Sequence, residues 1–151
     1  MMMEKSKLSK WVLSGLLWVF GGTLYFYMEV MWKTLNSRPE SISWTMLTLA
    51  MILCIPLERF GSELPWNCPL LLQASICTVA ITATEFIAGC ILNLWLGLGI
   101  WDYSNVPFNI LGQVCLAFSG VWFALSIFAI ILFDWIRYIV EGGERPHYTF
   151  I

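Results

Sequence analysis

Four long apolar runs, separated by short polar stretches, dominate this chain. The first, Trp11 to about Trp32, follows a basic segment carrying Lys5, Lys7 and Lys10. The second, Ile42 to Leu57, has no charge and stops at Pro56-Leu57-Glu58-Arg59. The third, Pro69 to Ile100, is the longest, and the fourth runs from Ile110 to Phe133, before Asp134 and Arg137. About 20 apolar residues at ~1.5 Å each cross a hydrocarbon core of ~30 Å, so each run predicts a membrane span, the second close to the lower limit. As one helix the third would reach about 48 Å, so it must tilt, protrude or break, and Gly97 and Gly99 are its expected end. Pro69 suits a first helical turn, and Asn109 suits the N-cap of the fourth helix. The expected fold class is all-α: a polytopic membrane bundle with four transmembrane helices, spans 11–32, 42–57, 69–100 and 110–133, and tails 1–10 and 134–151.

Composition supports lipid as the solvent. Of 151 residues, 59% are hydrophobic and only 12% charged, about half the charge of a typical soluble domain. Mean hydropathy is +0.75. The first run is too long for the ~7–15 residue core of a secretory signal, and no A-x-A site follows it, so an uncleaved span is expected. A net charge of −2 implies no electrostatic partner, and no basic patch is dense enough for nucleic acid. Cys54, Cys68, Cys77, Cys90 and Cys115 form no C-x-x-C pair, and His147 stands alone in a polar tail, so neither a metal site nor a disulfide framework is expected.

Basic residues set the expected orientation. Lys5, Lys7, Lys10, Arg59, Arg137 and Arg145 fall on one side, against Lys33 and Arg38 on the other, which puts both termini in the cytoplasm. Trp11, Trp32, Trp44, Trp66, Trp101 and Trp135 flank the runs as interfacial anchors.

Small and polar residues mark contact faces between helices in lipid. Three stripes emerge: Gly15, Trp18, Gly22, Tyr25 and Glu29; then Thr78, Thr82, Glu85, Ala88, Gly89, Leu92 and Asn93; then Gln113, Ala117, Gly120 and Ala124. Phe86, Cys90 and Leu94 fall on the other side of the third helix.

Glu85, near the middle of the third run, needs the most explanation. An ionised carboxylate at the bilayer centre costs about 2.5–3.5 kcal/mol even on lenient scales, and no lysine or arginine lies inside a span to offset it. Three roles stay open: a neutral acid bonded to Tyr25, Gln113 or a threonine; a proton- or cation-coupled site; or an oligomer contact. Glu29 precedes Lys33 by four residues, the spacing of a helical ion pair. Asn93, two turns beyond Glu85, would extend a polar path outward. The loop Trp101 to Asn109 is rich in turn formers and reads as an ordered plug at the membrane surface, with a ligand lid as the rarer use.

Thr84-Glu85-Phe86-Ile87-Ala88-Gly89, then Trp101-Asp102-Tyr103-Ser104, then Pro107-Phe108-Asn109, Gly112 and Cys115-Leu116 together resemble the signature of the "putative ABC transporter type IV" family. Tyr25-Phe26-Tyr27 before Glu29 is similar to that family's first-helix motif. The resemblance is closest over residues 84–122. It implies a bacterial cytoplasmic-membrane permease, without a cofactor. Two features depart from the pattern: no G-P-x-x-P-I-Y-G type loop is found, and Asn93 stands where the family often has a second glutamate. The chain also lacks a G-x-x-x-x-G-K-[ST] phosphate loop and any clear coupling motif for a separate ATPase subunit.

Two functions compete. One is a transporter subunit or small channel, expected as a homo-oligomer because four helices are few to enclose a path, with Glu85, Glu29, Asn93, Gln113 and Tyr25 as pathway residues. The other is a non-transporting scaffold, assembly factor or sensor. An enzyme ranks lowest, since no nucleophile–histidine or carboxylate-pair arrangement falls within the spans.

Overall fold

The computed structural model describes residues 2–36 and 42–151, with side chains from Lys10 onward. Arg38 and Pro39, which sequence reading places in the first loop, lie outside the described residues. Helix α1 covers Met2–Leu35, α2 Trp44–Glu63, α3 Leu70–Gly89 and α4 Leu116–Glu141. All four are long and apolar enough to cross a membrane. The protein is an all-α, multi-pass membrane helix bundle.

The helices alternate in direction, so the bundle has two ends. At the termini end, the start of α1 meets the ends of α2 and α4, and Leu70 N–H donates to Thr149 O at 2.7 Å. The C-terminal segment therefore folds back onto the start of α3. Residues 96–115 fill the opposite, loop end. Helix α2 packs against every other helix, whereas α1 and α4 barely touch.

Element boundaries move where backbone chemistry overrides hydropathy. Helix α1 begins at Met2, so the segment expected as a tail is helical. Helix α2 runs through Pro56 and ends at Glu63. Proline removes one backbone donor, a loss that membrane helices tolerate when neighbours cover the freed carbonyl. The buried positions of α2 (Met46, Leu49, Ala50, Leu53, Cys54, Leu57 and Glu58) keep one helical stripe straight across the proline. Beyond Gly89 the third helix loosens into a π-helical stretch, Cys90–Trp95, closed by Leu96 N–H to Ile91 O at 2.9 Å. It ends where Gly97 and Gly99 take positive φ.

The start of the fourth span differs most from expectation. Asn109–Ile110 and Val114–Cys115 form strands β1 and β2, paired antiparallel. Asn109 caps no helix. Its Nδ2 donates to Val106 O at 2.8 Å, and its Oδ1 accepts from Gly112 N–H at 3.0 Å. Helix α4 starts six residues later than hydropathy suggests.

The expected stripes survive in part. At Gly22 a Cβ would stand 2.8 Å from Met51 Cα, so α1 and α2 approach at backbone distance. Thr82 Oγ1 meets Ser119 Oγ at 3.2 Å between α3 and α4. The stripe assigned to α4 is a correction: Ala117, Gly120 and Ala124 are exposed, and Gln113 precedes the helix. The buried face of α4 is Trp122, Ser126, Ile130, Phe133 and Asp134, because large side chains fill the gap to α2 and α3. Trp101 is also no interfacial anchor. It is buried, and its Nε1 donates to Gln113 O at 2.9 Å.

Candidate functional site

Glu85 sits on the inward face of α3, 5% exposed. Trp122 of α4 donates Nε1–H to its Oε2 at 2.9 Å, and the Tyr103 hydroxyl donates to its Oε1 at 3.3 Å. Neither donor is among the partners expected from sequence. Among the described residues, no basic side chain forms an ion pair with Glu85. Tyr103 reaches it because the loop turns inward. Its ring stacks on Phe118, centroids 4.7 Å apart, and its N–H donates to Gly112 O at 2.7 Å. Burial first, then the nearby Glu85 and Glu29 charges, push the Tyr103 hydroxyl well above the usual phenol range. It therefore stays protonated and can act as a donor.

Tyr25 is close by but serves another acid. Its ring lies 5.1 Å from that of Trp122, and its hydroxyl donates to Glu29 Oε2 at 2.9 Å. Lys33 Nζ lies 2.8 Å from Glu29 Oε1, as the spacing suggests, and donates to Ile100 O at 3.0 Å, which ties α1 to the loop. Tyr25, Glu29, Lys33, Asp102 and Tyr103 all line one chamber of about 390 Å³ at the loop end. Tyr103 thus has the chamber on one side and Glu85 on the other.

Asn93 and Gln113 lie elsewhere. Asn93 Nδ2 donates to Gln113 Oε1 at 2.9 Å, while Asn93 Oδ1 accepts Ile100 N–H at 2.7 Å. Gln113 also packs where a Cβ on Gly89 would collide with it. Both amides pin the loop to the π-helical end of α3, and neither lines the chamber. Asp102 and Ser104 close a turn of their own, with Ser104 N–H donating to Asp102 Oδ1 at 2.8 Å.

A second polar cluster, at the termini end, escaped sequence reading. The Glu58 side chain is fully buried and forms a salt bridge to Arg137 of α4. Arg137 Nε donates to Glu58 Oε1 at 2.9 Å, Trp18 Nε1 to Oε2 at 3.1 Å, and Ser14 Oγ to Oε1 at 3.3 Å. Three helices therefore meet at one carboxylate. Asp134 lies alongside and accepts from the Tyr148 hydroxyl at 3.2 Å. Burial and the Asp134 charge raise that phenol above its ordinary value, so it too remains a donor. Hydropathy ends the second run at Leu57, one residue short of Glu58. Extending the four-residue spacing from Ala50 to Cys54 by one step places Glu58 on the same buried face.

Four helices, each long and apolar enough to cross a membrane, define the class as a multi-pass membrane protein. The chain belongs to the family described as "Putative ABC-transporter type IV", which matches residues 26–142, more than three quarters of its length. No solved structure matches it.

Proposed function

We propose that this chain is a transport subunit of the bacterial cytoplasmic membrane, with both termini in the cytoplasm and Glu85 as its proton- or cation-linked group. One observation carries the proposal. Glu85 is enclosed by the bundle, held by two neutral donors, and separated from a polar chamber by one of them, Tyr103. Neutral donors can hold a carboxylate while leaving room for a proton or cation to replace one of them. Rotation of the Tyr103 ring would open Glu85 to the chamber. Glu29 and Lys33 form the charged wall of that chamber, and Tyr25 positions Glu29. Asn93 and Gln113 act as positioning residues that hold the loop. Four helices are few to enclose a path, so two or more copies would enclose the route. No enzymatic step and no cofactor are assigned, and an ion-linked site does not require a separate ATPase subunit.

A non-transporting scaffold is the alternative. It is favoured by the Asn93–Gln113 and Asn93–Ile100 bonds, which fasten the loop to the end of the third helix. Purified protein in liposomes separates the two, with ion or solute flux compared for wild type and Glu85→Gln. Glutamine keeps the shape and still accepts from Trp122, but it cannot titrate. Loss of flux with an unchanged melting profile is the expected result. Absence of flux in both proteins, each stably folded, would leave the scaffold.

A further inference from the structure

Ser14 and Arg137, which hold the buried Glu58, also line a separate cavity of about 590 Å³ at the termini end, together with Asp134. We infer that this cavity is a binding site for a short aliphatic diamine in its doubly protonated form.

Three features support this occupant. The first is construction. Helices α1, α2 and α4 and the segment after α4 all contribute wall, and the volume falls within the ~300–1,000 Å³ of small-molecule sites. The second is charge. Glu63, Asp134, Glu141 and Glu144 line the cavity, against Lys10, Arg59 and Arg137. Arg137 also serves the buried Glu58, so the cluster as a whole has two more acids than bases. His147, 3.8 Å from Glu144, adds a positive charge only when protonated. Helices α2 and α4 both end here, at Glu63 and Glu141, and bring the negative ends of their dipoles to the same space. A cleft with low-dielectric walls and one sign of charge in excess concentrates ions of the other sign, and a dication balances an excess of two. The third is an open acceptor. Asp134 is only 6% exposed; Tyr148 donates to its Oδ2, and its Oδ1 accepts from no described residue. Gly61 lines the cavity beside it and leaves that oxygen uncovered, since a Cβ there would collide with Oδ1. Buried polar atoms call for hydrogen-bond partners, and an alkylammonium group supplies three N–H donors. Glu144, exposed at the rim, suits the second ammonium. Among the described residues no three metal-ligating side chains converge, so the wall fits an organic cation better than a bare metal ion.

The inference does not rest on transport, since this cavity shares no lining residue with the loop-end chamber. The test is isothermal titration calorimetry of the full chain in an uncharged detergent, with 1,4-diaminobutane as the probe. Saturable binding of one diamine per chain is expected. The hexamethyl bis-quaternary analogue has the same charge but no N–H donor, and should bind roughly tenfold more weakly. Asp134→Asn should weaken the diamine by a similar factor, roughly tenfold. Glu144→Gln, at the exposed rim, should weaken it about threefold with an unchanged melting profile, and it decides the matter alone should Asp134→Asn fail to fold. Glu85→Gln should bind the diamine as wild type does even where it abolishes flux, which keeps this inference apart from the transport proposal. No saturable binding, equal affinity for the two ligands, or an affinity untouched by the cavity variants that fold would each overturn the inference. Loss of diamine binding in Glu85→Gln would assign the amine to the other end of the bundle and overturn it too.

Discussion

Glu58 and Glu85 are both enclosed carboxylates, yet their surroundings stabilise them differently. Glu58 has a full counter-charge in Arg137, with Ser14 and Trp18 completing its hydrogen bonds. Removing one member of such a pair leaves an uncompensated buried charge, a loss of about 3–5 kcal/mol, whereas removing both costs far less. Arg137→Gln should therefore lower the melting temperature in detergent sharply, and Glu58→Gln combined with Arg137→Gln should recover much of the loss. Strictly additive effects would mean that the two side chains do not share one site. Glu85 has only neutral donors, so the same logic gives a mild outcome there. Glu85→Gln retains the Trp122 bond and should fold, which makes it usable as a functional probe.

At the scale of elements, hydropathy located four helices but misjudged where backbone geometry decides. Pro56 looked like a stop because an isolated proline breaks an exposed helix, yet the stripe from Met46 to Glu58 shows no interruption. The β1–β2 hairpin was invisible because Ile110, Leu111 and Val114 are as apolar as a span. Its signal was Gly112, which stands at φ +69° with a virtual Cβ only 2.8 Å from Asp102 Oδ1. Glu85, Glu29 and Tyr25 were legible as inward-facing because spacing fixes the face. Their partners were not, since no single sequence tells that Trp122 and Tyr103 arrive from elsewhere. Gly112→Ala tests the hairpin's role. A left-handed alanine costs about 1–2 kcal/mol before any clash. Amide exchange at Tyr103 and Gln113, whose N–H groups bond Gly112 O and Ile110 O, should accelerate while the helices stay protected. Gly120→Ala is the control: it lies within α4 with nothing in 4 Å of a new Cβ, so the loop should not respond. Matching exchange in both variants would show that the turn does not hold Tyr103 in place.

For the whole molecule, alternation of four helices puts both termini at one end and the motif loop at the other. The side facing the cytoplasm then rests on charge. Arg59 lies over the Trp11 ring at 4.2 Å, and Arg145 over Trp135 at 5.6 Å, so the termini end keeps its cations beside its aromatic belt. Lys33, by contrast, is buried against Glu29 at the loop end. The side with more basic residues flanking the spans stays in the cytoplasm, and acidic neighbours contribute little to that bias. Cysteine accessibility resolves the orientation. Asn105→Cys on the loop and Glu144→Cys on the C-terminal segment are both exposed positions, and the parent chain serves as the blank for native thiols. A membrane-impermeant maleimide applied to intact cells should label Asn105→Cys. It should label Glu144→Cys only after permeabilisation. The reverse pattern would invert the molecule and put the chamber on the cytoplasmic side, where Glu85 would exchange with the cell interior. Labelling of both sites in intact cells would contradict the single crossing by α4 between the loop and the C-terminal segment, and with it the four-span fold.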